Sequence, residues 1–271
     1  MNKIAVLGCG WLGLPLAKAF IANGFSVNGS TTSLEKIPFL ENEGISAFKV
    51  VIDENEIIGD INDFLGIATI LIVNIPPKLR GIASSDKKEF VQKIENLIPY
   101  IENSLIEKVI FVSSTSVYLD NNQFVTEETL PNPKTESAKQ LLIAEKLLQN
   151  NTNFKTTILR FGGLTGADRN PIYFLAGKND LENPEAPINL IHQKDCIGIV
   201  LEIVNKHVWN ETFNAVAPFH PTRADYYKQK AVHLNLPLPN FNLHSQSIGK
   251  TISSRKIENF LHYKFKIIEN L

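Results

Sequence analysis

Cysteine is scarce: the 271 residues hold two, Cys9 and Cys196, far apart in the chain. No Cys-x-x-Cys pair or Cys/His cluster is present to hold zinc, so no metal is expected. Cys9 lies in a glycine-rich stretch and Cys196 in an apolar run, and both read as buried free thiols. An excess of positive charge is also missing. Lys and Arg number 27 against 28 Asp and Glu, for a net charge of −1, and no basic block stands out. A surface that tracks a phosphate backbone needs a basic face, so nucleic acid is not an expected partner. No apolar run reaches the length of a membrane span, which argues against a membrane partner. No leader segment is expected ahead of the fold either, because Ile4–Leu7 already reads as its first strand. These absences point to the cytoplasm.

What is present is ordinary for a globular chain, 44% hydrophobic and 20% charged, and 271 residues suffice to bury a sizeable core. Short apolar runs alternate with helical patterns over the first 160 residues. Strands are predicted at Ile4–Leu7, Phe25–Gly29, Phe48–Ile52, Ala68–Val73, Val109–Val112 and Thr156–Arg160. Helical patterns cover Leu12–Asn23 and Glu89–Glu107. Strands spaced by helices of this length form βαβ units with right-handed crossovers. The fold class is therefore α/β, a doubly wound parallel sheet with a small discontinuous C-terminal lobe. We place a nucleotide-binding domain at residues 1–165 and most of the lobe at 166–271, with 191–216 returning to the core. Gly166–Asn189 reads mainly as loop. Asp195–Lys206 and Arg223–Leu234 read as helices, and Thr212–Val216 as a further strand.

The first strand runs into Gly8-Cys9-Gly10-Trp11-Leu12-Gly13, and a helix follows. Strand, glycine loop and helix in this order are the context that a dinucleotide-binding fingerprint requires. Gly8 permits the tight turn, Gly10 lets the backbone approach a pyrophosphate, and Gly13 lets the helix pack on the strand. The orphan N–H groups at the helix start then face the phosphates. The end of the second strand selects between two cofactors. NAD proteins place a carboxylate there for the free ribose hydroxyl. This chain has Asn28-Gly-Ser30-Thr31-Thr32-Ser33 with Lys36 just beyond. Small hydroxyls and a cation suit a 2′-phosphate, so NADP is expected over NAD. Ser33 also reads as a helix N-cap. Asp53, ending the third strand, is a candidate acceptor for the adenine amino group or a turn cap. Asn74-Ile75-Pro76-Pro77 ends the fourth strand where the cofactor's ribose and nicotinamide would pass, and its prolines stiffen that wall.

Val112-Ser113-Ser114-Thr-Ser-Val117-Tyr118 ends the fifth strand. Together with the glycine loop, Leu159-Arg160-Phe-Gly-Gly-Leu-Thr-Gly166, Ile191-His-Gln-Lys-Asp195 and Phe213-Asn-Ala-Val, it resembles the extended short-chain dehydrogenases/reductases. The closer likeness is to their atypical branch, the NAD-dependent epimerase/dehydratase-like proteins with an NAD(P)-binding Rossmann fold. In that family a Ser or Thr at this strand end hydrogen-bonds the substrate carbonyl, and counting back from Val117-Tyr118 places it at Ser114. The resemblance then implies a Tyr-x-x-x-Lys opening the next long helix. Registered on Ala144-Glu145, that helix puts Ser137 at the tyrosine position and Leu141 at the lysine position. Registered on Lys139, it puts Thr135 at the tyrosine position. Neither register supplies a tyrosine. An aliphatic hydroxyl is far less acidic than a phenol, whose pKa of about 10 a lysine and the cofactor can lower.

Two functions follow from this pattern. One is an oxidoreductase or epimerase acting on a small nucleotide- or sugar-linked substrate without the usual Tyr/Lys pair, with Tyr173 as a substrate contact; a variant of it takes Tyr118 or Tyr173 as the acid instead. The other is a non-catalytic dinucleotide-binding sensor. Arg169 is a candidate contact for an anionic substrate group. Arg160 reads as a structural ion pair or a ligand contact, and Asp195 as a helix N-cap. Gly249–Arg255 lacks the spacing of a phosphate loop and reads as closing the lobe. A monomer or a homodimer is expected.

Overall fold

Central strands of a parallel sheet are covered by helices on both faces, so their sequences must be apolar without alternation. Two segments satisfy this most completely. Ile4–Leu7 and Ile70–Val73 are each buried throughout, and they lie side by side. The computed structural model describes residues 3–77 and 89–268. In chain order these form β1 (Lys3–Leu7), α1 (Gly13–Ala22), β2 (Ser26–Thr31), α2 (Ile37–Asn42), β3 (Ser46–Ile52), β4 (Ile57–Gly59), α3 (Ile61–Leu65) and β5 (Ile70–Val73). There follow α4 (Glu89–Glu102), β6 (Lys108–Ser114), β7 (Gln123–Val125), α5 (Glu136–Gln149), β8 (Lys155–Phe161), β9 (Gly163–Thr165) and β10 (Leu190–His192). The last are α6 (Gln193–Asn205), β11 (Thr212–Ala215), α7 (Arg223–His233), β12 (Lys250–Ile252) and α8 (Arg255–Phe260).

One eight-stranded sheet runs β11-β8-β6-β5-β1-β2-β3-β4. β1 pairs in parallel with β2 on one side and β5 on the other. The chain therefore moves outward from β1 through β2 and β3, then crosses back to β5. Strand order reverses between β1 and β5, and in open α/β sheets ligands bind outside the carboxyl ends of the strands at such a point. Here those ends lead into Gly8 and Asn74. α1 buries Leu16, Ala17 and Phe20 beneath the sheet. The expected α/β doubly wound sheet is the observed one. A short edge strand was not foreseen: β4 pairs antiparallel to β3.

Among the described residues the chain falls into two compact units. The first comprises Met1–Val117, Pro133–Arg160 and Val200–Phe213. The second comprises Tyr118–Asn132, Phe161–Ile199 and Asn214–Leu271. Within the second, two-stranded ribbons of three residue pairs each replace a larger sheet: β9 with β10, and β7 with β12, both parallel. α7 is capped by Thr222, whose hydroxyl accepts from the Asp225 N–H.

Asp195 corrects one expectation. It lies inside α6, fully buried, and does not cap that helix. Its carboxylate accepts from the Tyr263 hydroxyl at 2.8 Å and from the backbone N–H groups of Lys266 and Ile267 at 2.7 and 3.1 Å. The residue is an anchor for the C-terminal segment. Ser33 likewise makes no side-chain cap; its own N–H donates to the Thr31 hydroxyl at 3.2 Å.

Candidate functional site

The glycine loop is held from three sides, all within the first unit. Gly8 N–H donates to Ser30 Oγ at 2.8 Å and Cys9 N–H to the Ser30 carbonyl at 2.9 Å. The Asn74 amide donates to the Gly8 carbonyl at 3.1 Å. The loop is thus tied to the ends of both strands that flank the crevice. Gly8 has φ +98°, and a Cβ on Gly13 would lie 2.0 Å from the Gly8 carbonyl oxygen, so side chains are barred at both positions. Gly10 differs. A Cβ there would meet nothing within 4 Å. Space in front of Gly10 is what an approaching phosphate needs. No side chain caps α1, and its first turn carries no carboxylate, which leaves the helix start fit for an anion.

A cavity of about 250 Å³ opens from this loop. Gly8, Cys9 and Gly10 form one wall, Thr31, Thr32 and Lys36 another, and Asn74, Ile75 and Pro76 a third. Ser30, from the hydroxyl-rich strand end, and Leu7, Val50, Ile52 and Lys93, which the motifs do not mark, complete the lining. Val50 and Ile52 were recoverable from the period of two along a strand that ends at the crevice. Lys93 on α4 carried no sequence signal, because it reaches the cavity only through helix packing. The lining suits the adenosine end of a dinucleotide: apolar side chains for a base, hydroxyls and cations for a ribose phosphate. Five expected residues do not line the cavity. Leu12 and Gly13 are buried, Trp11 and Ser33 are half-buried, and Asp53 sits in a turn with its N–H on the Glu56 carbonyl. Asp53 Oδ1 accepts from Asn55 at 3.4 Å. The Cys9 thiol is pushed up to about 12 by burial, so it stays protonated and unreactive.

The strand end at β6 and the helix α5 carry the remaining chemistry of this unit. Ser114 is half-buried, and its Oγ accepts from the Ser116 N–H at 3.1 Å. Its neighbour Ser113 points the other way, donating to Glu145 at 2.5 Å. Glu145 also takes Arg160 through Nη2 at 2.6 Å and Nε at 3.0 Å, with both charged groups buried. Arg160 is therefore a structural partner of α5. Thr135 caps α5, its hydroxyl accepting from Ala138 N–H at 3.3 Å. Ser137 is half-buried in the first turn, and Leu141 is buried.

Within the second unit, Tyr118 is 2% exposed and its hydroxyl donates to Asn214 Oδ1 at 3.0 Å. The Lys250 ammonium donates to the Tyr118 carbonyl at 2.6 Å and pairs with Asp120 at 3.0 Å. Residues Gly249–Arg255 thus supply β12 and a buried lysine. Asp168 and Arg169 sit exposed in a turn closed by reciprocal Gly166–Arg169 backbone bonds. Tyr173 is 56% exposed in a single helical turn, Pro171–Phe174. His192 Nδ1 accepts from the Lys194 N–H at 3.1 Å, and burial lowers its pKa.

Comparison with known proteins agrees with this geometry. Protein YeeZ of Escherichia coli K12 is 33% identical over 269 residues, spanning 98% of this chain and 96% of YeeZ. The chain belongs to the YeeZ family. No family model matches it. Among solved structures, a UDP-glucuronic acid 4-epimerase from Bacillus cereus in complex with NAD superposes with TM-score 0.80 at 19% identity, covering 98% of this chain and 92% of that one. A short-chain dehydrogenase/reductase superfamily protein from Agrobacterium tumefaciens with bound NAD gives 0.78 at 17%, covering 99% and 94%. A functionally unknown conserved protein from Silicibacter pomeroyi gives 0.79 at 18%, covering 98% and 94%. At these identities the likeness is one of fold, and that fold is the Rossmann-like α/β sheet expected from the motifs. Among the described residues no helix is long and apolar enough to cross a membrane, and no group of His, Cys, Asp and Glu could hold a metal ion.

Proposed function

We propose that this protein binds NADP(H) at the glycine loop and acts, as an oxidoreductase or epimerase, on a small nucleotide- or sugar-linked substrate. The observation that carries the reading is the open face of Gly10 beside a cavity whose described lining holds Lys36 and the hydroxyls of Thr31 and Thr32 but no carboxylate. A carboxylate would repel a 2′-phosphate and is what an NAD site uses. The relatives in fold whose structures contain NAD support the general class of ligand. When bound, the nicotinamide supplies hydride transfer. The chain's own part is to hold the pyrophosphate at Gly10 and the start of α1, and to present the Ser114 hydroxyl to a substrate oxygen. Arg169 and Tyr173 are assigned to the substrate's polar groups on their exposure alone.

A second reading is a sensor that binds the dinucleotide without turnover. It is favoured by α5, where the Thr135 hydroxyl is taken up by the helix cap and an apolar, buried Leu141 stands at the lysine position. Tyr118 gives it no remedy as an acid while its hydroxyl is bound to Asn214. Fluorescence titration with NADPH and NADH separates these cases. Gly10→Asp is a clean control, because a Cβ at Gly10 meets no neighbour and the fold should survive. NADPH should bind more tightly than NADH, and Gly10→Asp should abolish both. Equal affinities would remove the NADP preference, and no binding would overturn the whole reading. With substrate, Ser114→Ala should lower kcat by roughly 100-fold, the effect of losing one oxyanion donor. Binding with no substrate-dependent absorbance change across candidate sugar nucleotides would leave the sensor.

A further inference from the structure

The cavity beside the glycine loop contains a second cation that the strand-end pattern does not account for. Lys93 projects from α4, an element separate from the loop that carries Lys36. Its position is fixed by the helix rather than by chance exposure. Phe90, Val91, Ile94 and Leu97 bury the other faces of α4. One turn on, Asn96 donates to the carbonyls of Asp53 and Glu54 at 3.2 and 3.1 Å and so clamps α4 to the turn after β3. Lys93 is on the same face, 26% exposed, and its ammonium reaches Glu54 only at 3.9 Å. That separation is at the limit of an ion pair and leaves the ammonium short of a close partner there.

We propose that Lys93 is a specificity-determining residue for the dinucleotide, a second cation that with Lys36 selects the ligand carrying a 2′-phosphate. The inference rests on the NADP reading and adds to it a residue outside the strand-end loop. The physical basis is charge. A 2′-phosphate brings close to two negative charges into a partly enclosed cavity, and a single exposed lysine neutralises one of them. Two ammonium groups from different elements of the lining, with Thr31 and Thr32 hydroxyls as additional donors and no carboxylate among the described lining residues, balance both. A ligand with a free 2′-hydroxyl would gain nothing from this arrangement and would leave both lysines solvated. Because lysine is a point charge on a flexible stem, the arrangement tolerates some variation in phosphate position.

Isothermal titration with NADP⁺, NAD⁺ and 2′-phospho-ADP-ribose tests this directly, with no reliance on turnover. Lys93→Met keeps the aliphatic stem and removes the charge; Lys93→Arg retains it. Lys93→Met should weaken NADP⁺ and 2′-phospho-ADP-ribose by about 10-fold, worth one charge-assisted contact, and leave NAD⁺ within about 2-fold. Lys93→Arg should keep most of the preference, and a melting curve of Lys93→Met matching the wild type guards against a folding defect in that variant. The NADP⁺ affinity of the wild type should also fall more steeply with salt than that of Lys93→Met. Equal weakening of all three ligands would overturn the proposal, since Lys93 would then serve the shared adenosine diphosphate. An unchanged preference in Lys93→Met would overturn it while leaving the NADP reading intact. A wild type that binds NAD⁺ as tightly as NADP⁺ would end both.

Discussion

Arg160 and Glu145 meet where solvent does not reach, and burial sets what each contributes. Removing two charges from water is expensive, and the pair recovers this only through close geometry and further hydrogen bonds. Both are present: two contacts to Arg160 at 2.6 and 3.0 Å and the Ser113 hydroxyl at 2.5 Å. The three residues come from β8, α5 and β6, so they tie the helix to the two strands beneath it. Deleting Arg160 leaves the buried Glu145 carboxylate charged and without its ion-pair partner. Arg160→Met should therefore destabilise the protein by about 3–5 kcal/mol in urea unfolding. Arg160→Met combined with Glu145→Gln should recover part of that loss, because no lone buried charge remains. If the double variant is no more stable than the single one, the pairing is not what holds α5 in place. The glycines illustrate the same dependence on surroundings. Gly8 and Gly13 are demanded by backbone geometry, whereas a Cβ on Gly10 would meet nothing within 4 Å.

Elements differed in how plainly the chain announced them. β1 and β5 are unbroken apolar runs because helices cover both their faces, and that continuity is visible without coordinates. The glycine loop was equally plain, since its order between strand and helix is local. β4 was not visible, for a three-residue edge strand has no period to read. Thr135 was legible only as a hydroxyl at a helix start, and its role as the cap is set by the bond its hydroxyl accepts from the Ala138 N–H. Asp195 escaped for a different reason. A carboxylate at the start of a helical pattern resembles a cap, whereas its partners lie 68 to 72 residues further on. Lys93 is the same kind of case, reaching the cavity only because Asn96 fixes α4 to the β3 turn. The Asp195 anchor carries its own prediction. Asp195→Ala leaves the N–H groups of Lys266 and Ile267 without their acceptor, and should cost about 3 kcal/mol. Amide exchange should quicken first in residues 263–268, with β1 and β5 unaffected below global unfolding. Uniform acceleration across the chain would mean that the C-terminal segment is not a separately released element.

At the scale of the whole molecule, burial of titratable groups bounds the pH range in which the fold is most stable. Burial lowers His192, with Lys194 and Lys230 adding to the effect and Asp195 opposing it. It lowers His220 as well, against a hydrogen bond to the Ile188 carbonyl at 3.0 Å that helps the protonated form. A depressed folded pKa means that the unfolded chain binds the proton more readily. Stability is then intact above the unfolded histidine value near 6.5 and declines as pH falls through the folded values. The alkaline side has the opposite sign. Cys9, Cys196, Tyr226 and Tyr227 are all raised, chiefly by burial. Their contribution is complete below the unfolded values and is lost as pH rises beyond them, beginning with the thiols near 9. Lys230, lowered by burial, opposes this loss, but only at alkaline pH. The interval from pH 7 to 5 therefore belongs to the two histidines, since most carboxylates titrate lower. Urea unfolding across that interval should show stability falling toward acid, by no more than about 1.4 kcal/mol per pH unit for each histidine. His220→Gln keeps a donor for the Ile188 carbonyl and cannot take up the proton, so its curve should be flatter than that of the wild type between pH 6.5 and 5. The absolute stability of that variant does not matter to the test; the slope does. A wild-type curve level from pH 7 to 5, or a His220→Gln curve of equal slope, would show that these half-buried imidazoles do not set the acid edge.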